Sequence, residues 1–215
     1  MVARWAGLAL LLLSGCTNEP SVCIPKTVTI QLFGDSTQAG YDGMTKRRIA
    51  ISPAMLLQAH LDRLFGTEAV RVMARGANNT TSGQLLRGED GVNLPWDRAA
   101  TADIIVVNHG INDQRTGVPL HEFKANLQAL APTVFQTPNP TPALPTAGYA
   151  AAVREVARGK PLADVDAYVR SLPDWQRLLP DGLHPSEALY GMISANVLLP
   201  AVLPLVERLR CEQAH

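Results

Sequence analysis

The sequence has 215 residues, of which 47% are hydrophobic and 18% are charged. This composition is typical of a globular protein, and the length suits one domain with a sizeable core. The chain carries 19 Lys and Arg residues against 19 Asp and Glu residues and shows no basic stripe, so nucleic acid is not an expected partner. Aromatic residues make up 5% of the chain, which argues against a stacking surface for bases.

The first 15 residues are predicted to be an export signal and not part of the fold. Arg4 supplies a positive charge, and residues 6–13 form an apolar run too short to span a bilayer. The run ends in Leu13-Ser14-Gly15-Cys16, which resembles the lipobox of bacterial lipoproteins. This resemblance implies cleavage before Cys16, lipidation of Cys16 and, with Thr17 next, an anchor in the outer membrane on the periplasmic side. The alternative is a plain secretory signal cut near residues 14–16.

Residues 16–25 are predicted to form a polar tether, and residues 26–215 a single folded domain. Export places the domain in an oxidising compartment. Cys23 and Cys211 lie at opposite ends of the mature chain, and the termini of a domain are often close together. We therefore expect a disulfide between Cys23 and Cys211, which chain-entropy models value at roughly 4–5 kcal/mol. The alternative is two free buried thiols.

Strands and helices are predicted to alternate along the domain. Short runs of β-branched and apolar residues indicate strands, and apolar residues at helical spacing indicate helices. Ser52 and Pro53 are typical of a helix start, and Gly66 of a helix end. The predicted strands are residues 26–33, 69–74, 102–108, 133–136 and 161–165. The predicted helices are residues 53–65, a short one through residues 85–86, 120–130, 149–158 and 186–210. Residues 37–48, 76–81, 88–96 and the proline-rich 137–145 are predicted to be loops or turns.

This order of elements predicts an α/β fold. Residues 102–108 form a continuous apolar run, as expected of a central parallel strand that is covered on both faces. Alternating strands and helices favour a parallel sheet, here of about five strands, with helices on both faces.

Three polar motifs accompany these elements. Gly34-Asp35-Ser36 ends the first strand, Gly110-Ile111-Asn112-Asp113 follows the central strand, and Asp181-Gly182-Leu183-His184 precedes the last helix. Ligands of open α/β sheets bind at the carboxyl ends of the strands. We therefore expect a functional site at this edge of the sheet.

The residue types in these motifs suit nucleophilic acyl transfer, which needs a nucleophile, a base, a group that orients the base, and donors for the oxyanion. Ser36 is the candidate nucleophile and His184 the candidate base. Asp181 can reach the far imidazole nitrogen of His184, and Asn112 offers a side-chain donor. Each motif alone has a structural explanation, as a helix cap, a surface histidine or a turn, but the three in this order favour catalysis.

Neighbouring polar residues are given other roles. Asp35 and Asp113 are predicted to hold loops through local hydrogen bonds. His109 lies beside a motif but lacks a carboxylate at the matching spacing, so we rank it below His184 as the base. The histidine spacing does not support zinc, and no metal or other cofactor is expected.

With these three motifs, the sequence resembles the SGNH (GDSL-type) esterase and lipase family over nearly the whole mature chain. The resemblance implies a three-layer α/β/α sandwich, metal-free serine ester hydrolysis and a shallow, open active site. It carries over Ser36 as the nucleophile, His184 as the base, Asp181 as its orienting partner and Asn112 as an oxyanion donor.

One block departs from the family pattern Asn-x-Gly-x-x-Gly, whose later glycine donates a backbone N–H to the oxyanion. The corresponding run here is Ala74-Arg75-Gly76-Ala77-Asn78-Asn79-Thr80. Gly76 matches the earlier glycine, and the later one falls on Asn79, or on Asn78 if the register slips by one residue. Asparagine tolerates left-handed backbone and also has an N–H, so the predicted oxyanion donors are Ser36, the turn with Gly76 and Asn79, and Asn112.

The predicted function is hydrolysis of short-chain acyl esters, such as O-acetyl groups on envelope or other polysaccharides. Thr37 after the serine is similar to carbohydrate-acetylesterase members of the family. The first alternative is a lipase, thioesterase or lysophospholipase that acts on longer chains. The second is a catalytically silent lipoprotein that binds envelope glycan or lipid. Acyl transfer to another sugar also remains open.

Overall fold

The structure is a computed structural model that describes residues 26–210. The predicted signal, the tether, Cys16 and the Cys23–Cys211 pair lie outside the described residues. Five parallel strands form the central sheet in the order β4-β1-β5-β6-β7, and β2 and β3 form a small antiparallel hairpin. The strands are β1 (Val28–Gly34), β2 (Tyr41–Asp42), β3 (Arg47–Arg48), β4 (Val70–Gly76), β5 (Ile104–Asn108), β6 (Val134–Gln136) and β7 (Leu162–Ala163).

Helices follow the sheet strands along the chain. They are α1 (Ser36–Ala39), α2 (Pro53–Phe65), α3 (Ser82–Arg87), α4 (Trp96–Ala99), α5 (Ile111–Arg115), α6 (Leu120–Leu130), α7 (Ala147–Val156), α8 (Val165–Ser171), α9 (Glu187–Ile193) and α10 (Leu199–Arg210). A 3₁₀ turn covers Trp175–Leu178, and a π turn at Ser194–Leu198 joins α9 to α10.

Two hydrophobic clusters cover the two faces of the sheet. Ile30 and Leu32 of β1 point into one cluster, which also contains apolar residues of α2, α8, α9 and α10. Phe33, next along the strand, points into the other cluster, with apolar residues of α3, α6 and α7. This alternation follows from the two-residue period of a strand. The predicted three-layer α/β/α arrangement with five parallel strands is therefore confirmed.

The structure corrects the sequence prediction in two segments. Residues 37–48, expected to be a loop, contain most of α1 and the β2–β3 hairpin. The last predicted strand, residues 161–165, is reduced to Leu162–Ala163, because Asp164 caps a helix that was not predicted and accepts a hydrogen bond from Ala167 N at 3.1 Å.

The predicted last helix begins after its cap, Ser186, and continues to Arg210. Its π turn ends just before Pro200, whose missing N–H and bulky ring disfavour a regular α-helical turn at that point. Glu187–Arg210 is long and apolar enough to cross a membrane, with a mean hydropathy of 1.8. Val202 and Val206 are fully buried in the core, so the apolar face of this helix is used inside the domain.

Side chains occupy several hydrogen-bonding groups along the outer edge of β4. Gln58 of α2 accepts from Val72 N at 2.7 Å and donates to Val70 O at 2.8 Å. Arg48 donates from Nη2 to Gly76 O at 3.5 Å. The opposite edge strand, β7, has only two residues.

Candidate active site

The carboxyl ends of three neighbouring strands meet at the centre of the sheet. Gly34 of β1 pairs with Gly76 of β4 on one side and with Asn108 of β5 on the other. A side chain at Gly34 would approach Asn108 O to 2.5 Å, and one at Gly76 would approach Ala39 N to 2.5 Å. Both glycines are therefore needed for the close approach of β4, α1 and β5.

Ser36 lies directly after this contact, as the first residue of α1. Its Oγ atom is 2.9 Å from Nε2 of His184, and Nδ1 of His184 is 2.7 Å from Oδ2 of Asp181. The structure thus brings together three predicted residues, although Ser36 and His184 are 148 positions apart. Ser36 is 7% exposed, so its hydroxyl lies in a recess of the surface.

Hydrogen bonds keep Asp181 charged. Partial burial alone would raise the pKa of Asp181, but donors outweigh this effect and hold its pKa below the ordinary value. These donors are the ring of His184 and the backbone N–H groups of His184 and Leu183, at 2.7 and 3.0 Å from Oδ1. The same contacts fix the rotamer of Asp181 toward the imidazole.

Asp35 orients the start of α1. Its Oδ1 accepts hydrogen bonds from Thr37 N at 2.9 Å and from Thr37 Oγ1 at 2.8 Å. The Oγ1 atom of Thr37 accepts in turn from Asn108 Nδ2 at 3.1 Å, which ties α1 to β5. The predicted loop-holding role of Asp35 agrees with these contacts, whereas the sequence carried no signal for Asn108.

The proline-rich loop of residues 137–145 supports the turn that carries His184. Asn139, which is 2% exposed, donates from Nδ2 to Leu183 O at 3.0 Å. Gly182 adopts a φ of 78°, a left-handed conformation that favours glycine. This turn places Asp181 and His184 on the same side, and Ser186 then caps α9.

The predicted oxyanion donors lie on three elements. Asn112 is 3% exposed on α5, and its Nδ2 atom makes no hydrogen bond to any described residue. Asn79 has a φ of 59°, in the left-handed region where the family pattern has glycine, and its Oδ1 accepts from Arg115 Nη2 at 3.3 Å. Gly76 forms the close contact with α1, and which N–H of this turn serves the oxyanion stays a prediction.

Asp113 and His109 are buried near these motifs but take no part in the hydrogen-bonded contacts among Ser36, His184 and Asp181. Asp113 accepts hydrogen bonds from the backbone N–H and hydroxyl of Ser82 and so ties α5 to α3. His109 is 1% exposed, and neither ring nitrogen makes a hydrogen bond to residues 26–210. His184, and not His109, is the histidine that contacts Ser36.

Sequence reasoning missed two tyrosines beside the histidine. The ring of Tyr41 packs on that of His184 with centroids 4.9 Å apart, and the hydroxyl of Tyr190 donates to Tyr41 O at 3.0 Å. No local pattern signals a contact between residues 149 positions apart.

The fold and the arrangement of this site define a hydrolase type of α/β protein. A family model described as the GDSL-like Lipase/Acylhydrolase family matches residues 32–192, well over half of the chain. The chain belongs to this family, which contains hydrolases that act on esters.

Solved structures agree on the fold. One is 26% identical, with a TM-score of 0.63 over 83% of this chain and 97% of its own. LAE5, an alpha/beta hydrolase from the metagenome of Lake Arreo, Spain, is 22% identical, with a TM-score of 0.60 over 83% and 96%. Axe2, an acetylxylan esterase from Geobacillus stearothermophilus, is 18% identical, with a TM-score of 0.63 over 84% and 96%. No curated protein matches the chain.

The pKa shift of Asp35 can be tested through the pH dependence of the protein's stability. Burial raises its pKa above the ordinary 3.8, against the opposing effects of His109 and the Thr37 hydrogen bonds. Folding therefore disfavours its ionised form, and this penalty grows as the pH rises from 3.8 to the raised pKa. We expect Asp35→Asn, which keeps an acceptor for Thr37, to become more stable relative to the wild type over this pH range, as measured by urea unfolding.

Asp103→Asn is the matched control, and we expect its stability relative to the wild type to change with pH in the opposite direction. Burial of Asp103 is outweighed by hydrogen bonds from Thr29, at 2.8 and 2.7 Å, and by Lys26, so its pKa is lowered. The stability that Asp103 adds is present above 3.8 and is lost as the pH falls through its lowered pKa. The Asp103→Asn variant should therefore become less stable relative to the wild type as the pH rises. If the stabilities of both variants relative to the wild type changed with pH in the same direction, the opposite pKa shifts of Asp35 and Asp103 would be contradicted.

Proposed function

We propose that this protein hydrolyses short-chain acyl esters with Ser36 as nucleophile, His184 as general base and Asp181 as the residue that orients His184. The observation that carries the proposal is the continuous chain of contacts, 2.9 Å from Ser36 Oγ to His184 Nε2 and 2.7 Å from His184 Nδ1 to Asp181 Oδ2. These distances are within hydrogen-bonding range, as a nucleophile–base pair requires.

In the first half of the reaction, the ionised Asp181 accepts a hydrogen bond from Nδ1–H of His184. This tautomer leaves the lone pair of Nε2 facing the hydroxyl of Ser36. Ser36 Oγ attacks the ester carbonyl and its proton passes to Nε2. The imidazolium, stabilised by Asp181, then gives this proton to the leaving alcohol, and an acyl-serine remains.

In the second half, a water molecule replaces the alcohol. His184 takes a proton from this water, the resulting hydroxide attacks the acyl-serine, and the proton returns to Ser36 Oγ as the carboxylic acid leaves. Both halves pass through a tetrahedral oxyanion. Its donors in this proposal are Ser36 N–H, an N–H of the turn with Gly76 and Asn79, and Nδ2 of Asn112, a buried donor that the described protein groups leave unused.

The preference for acetyl esters is supported by similarity to one characterised enzyme class. The structurally similar Axe2 is named an acetylxylan esterase, and its fold is shared over 84% of this chain. An O-acetylated glycan is therefore the substrate class that we propose. A lipase or lysophospholipase, the alternative from the sequence, would prefer long acyl chains and is separated from this proposal by the ester series below.

We also propose that the protein is anchored to the cell envelope through a lipid on Cys16, as the lipobox-like sequence predicts. We expect expression in a bacterial host with radiolabelled palmitate to label the full-length chain, and Cys16→Ser to abolish the label. Labelled Cys16→Ser protein, or no label on the wild type, would contradict the anchor and leave the secretory alternative.

The first experiment on function measures hydrolysis of p-nitrophenyl esters from acetate to palmitate by the chain without residues 1–16. We expect acetate and butyrate to be the best substrates. The Ser36→Ala variant should lose all turnover because it has no nucleophile, while its circular dichroism spectrum stays unchanged. Turnover by Ser36→Ala above background would contradict the nucleophile. A long-chain preference would move the assignment to a lipase, and a folded but inactive wild type would favour a binding protein.

A second variant tests the oxyanion donor. Asn112→Ala should lower kcat about 100- to 1000-fold, the usual cost of removing one such donor, with little change in KM. The matched control is Asn196→Ala, since Asn196 is exposed on the last helix and donates to Tyr168 Oη and Met192 O. Equal kcat values for the two variants would exclude Asn112 from the oxyanion site.

A further inference from the structure

We infer that the segment of residues 41–45, which we term the 41–45 cover, positions the Asp181–His184 pair, and that Gly43 is its essential positioning residue. The inference rests on the proposed function, because it concerns the base of that reaction. It assigns a role to a segment that the sequence marked only as a loop.

Gly43 packs directly on the hydrogen bond between the two side chains. A Cβ atom built on Gly43 would lie 1.5 Å from Asp181 Oδ2, 2.3 Å from Asp181 Cγ and 2.9 Å from His184 Nδ1. The φ angle of Gly43 is outside the left-handed region, so its backbone suits other residues as well. The obstacle to a side chain at position 43 is therefore the Asp181–His184 pair itself.

The cover is fixed at its start by contacts with two other elements. The ring of Tyr41 packs against the His184 imidazole, and the Tyr190 hydroxyl donates to Tyr41 O. Tyr190 is 3% exposed, and burial raises its pKa well above the ordinary value, so its hydroxyl remains a donor at every working pH. These contacts hold the backbone that leads into Gly43 against the histidine.

The rest of the cover is held by Asp42. Its carboxylate accepts from Thr45 Oγ1 at 2.8 Å and from Met44 N at 2.9 Å, which closes a tight turn around Gly43. These hydrogen bonds, that of Thr45 first, lower the pKa of Asp42, so the carboxylate is ionised at neutral pH. The turn is thus closed by hydrogen bonds within residues 42–45 and not by hydrogen bonds to Asp181.

This arrangement restricts both members of the pair. The His184 and Asp181 side chains are 14% and 23% exposed, and the Gly43 backbone lies directly against their hydrogen bond. The cover packs against Oδ2 of Asp181, and the backbone N–H groups of residues 183 and 184 bind Oδ1. Together these contacts hold the carboxylate with Oδ2 facing Nδ1 of His184. If the carboxylate of Asp181 were displaced, the imidazole of His184 would no longer be held with Nε2 facing Ser36 Oγ.

The test is the Gly43→Ala variant in the soluble chain. The added methyl must push the Asp181 carboxylate away from Nδ1, and a misplacement of about 1 Å in a catalytic group costs roughly 100-fold in rate. We expect kcat for p-nitrophenyl acetate to fall about that much with KM nearly unchanged. The downfield proton resonance of a histidine bonded to a carboxylate, assigned to His184 by its loss in Asp181→Ala, should shift or disappear in Gly43→Ala.

The matched control is Gly191→Ala, at a glycine of α9 where an added Cβ would have no atom of residues 26–210 within 4 Å apart from its own stretch of helix. It should keep wild-type kcat and the downfield resonance. Wild-type kcat and an unchanged resonance in Gly43→Ala would overturn the inference, while loss of activity in Ser36→Ala would still support the proposed function. Activity retained by Ser36→Ala would instead reject the proposed function itself.

A double variant and a milder variant complete the test. In Asp181→Ala, the carboxylate that the methyl would displace is gone, so adding Gly43→Ala should cause no further fall in kcat; full additivity would overturn the inference.

If Gly43→Ala does not fold, Tyr190→Phe loosens the cover by removing only the hydroxyl bonded to Tyr41. For Tyr190→Phe we expect a severalfold lower kcat and a weakened His184 resonance. If kcat and the resonance were both unchanged from the wild type, the inference would also be overturned.

Discussion

The close contact of three strand ends at Gly34 is the constraint on which the rest of the site depends. Gly34 lies between Gly76 and Asn108 with no room for a side chain, so α1 must start directly over the edge of the sheet. This start places Ser36 in a recess where elements from the far end of the chain can reach it. The site is therefore a product of the parallel register, because a shift of β4 or β5 would separate the strand ends that carry its parts.

The pKa values of two carboxylates near Ser36 are shifted in opposite directions because their surroundings differ. Asp35 is fully buried, and the cost of dehydration exceeds the effect of its hydrogen bonds, so its pKa is raised. Asp181 is partly exposed and accepts three hydrogen bonds from residues 183 and 184, so its pKa is lowered. The same chemical group thus serves as a helix cap in one place and as a charged partner of histidine in the other.

Local sequence signals predicted much of the fold and of the site. The β-branched runs and helix caps located the five strands and most helices, since these patterns act within a few residues, and the three motifs identified Ser36, Asp181 and His184. The β2–β3 hairpin, the short helices α1, α4, α5 and α8, and the Tyr190–Tyr41 contact were missed. The hairpin strands have two residues each, which is too short for a periodic signal, and the tyrosine contact depends on the packing of α9. The tight fit of Gly43 becomes visible only when residues 181 and 184 are placed beside it.

The hydrogen bonds of Gln58 and Arg48 along the outer edge of β4 have a consequence for how the domain meets other chains. An unprotected edge strand is a template for strand addition and aggregation. Here side chains already satisfy Val70 O, Val72 N and Gly76 O, and the opposite edge strand is too short to offer a ladder. The sheet thus resists growing by one more strand, which limits edge-to-edge association of one copy of the domain with another.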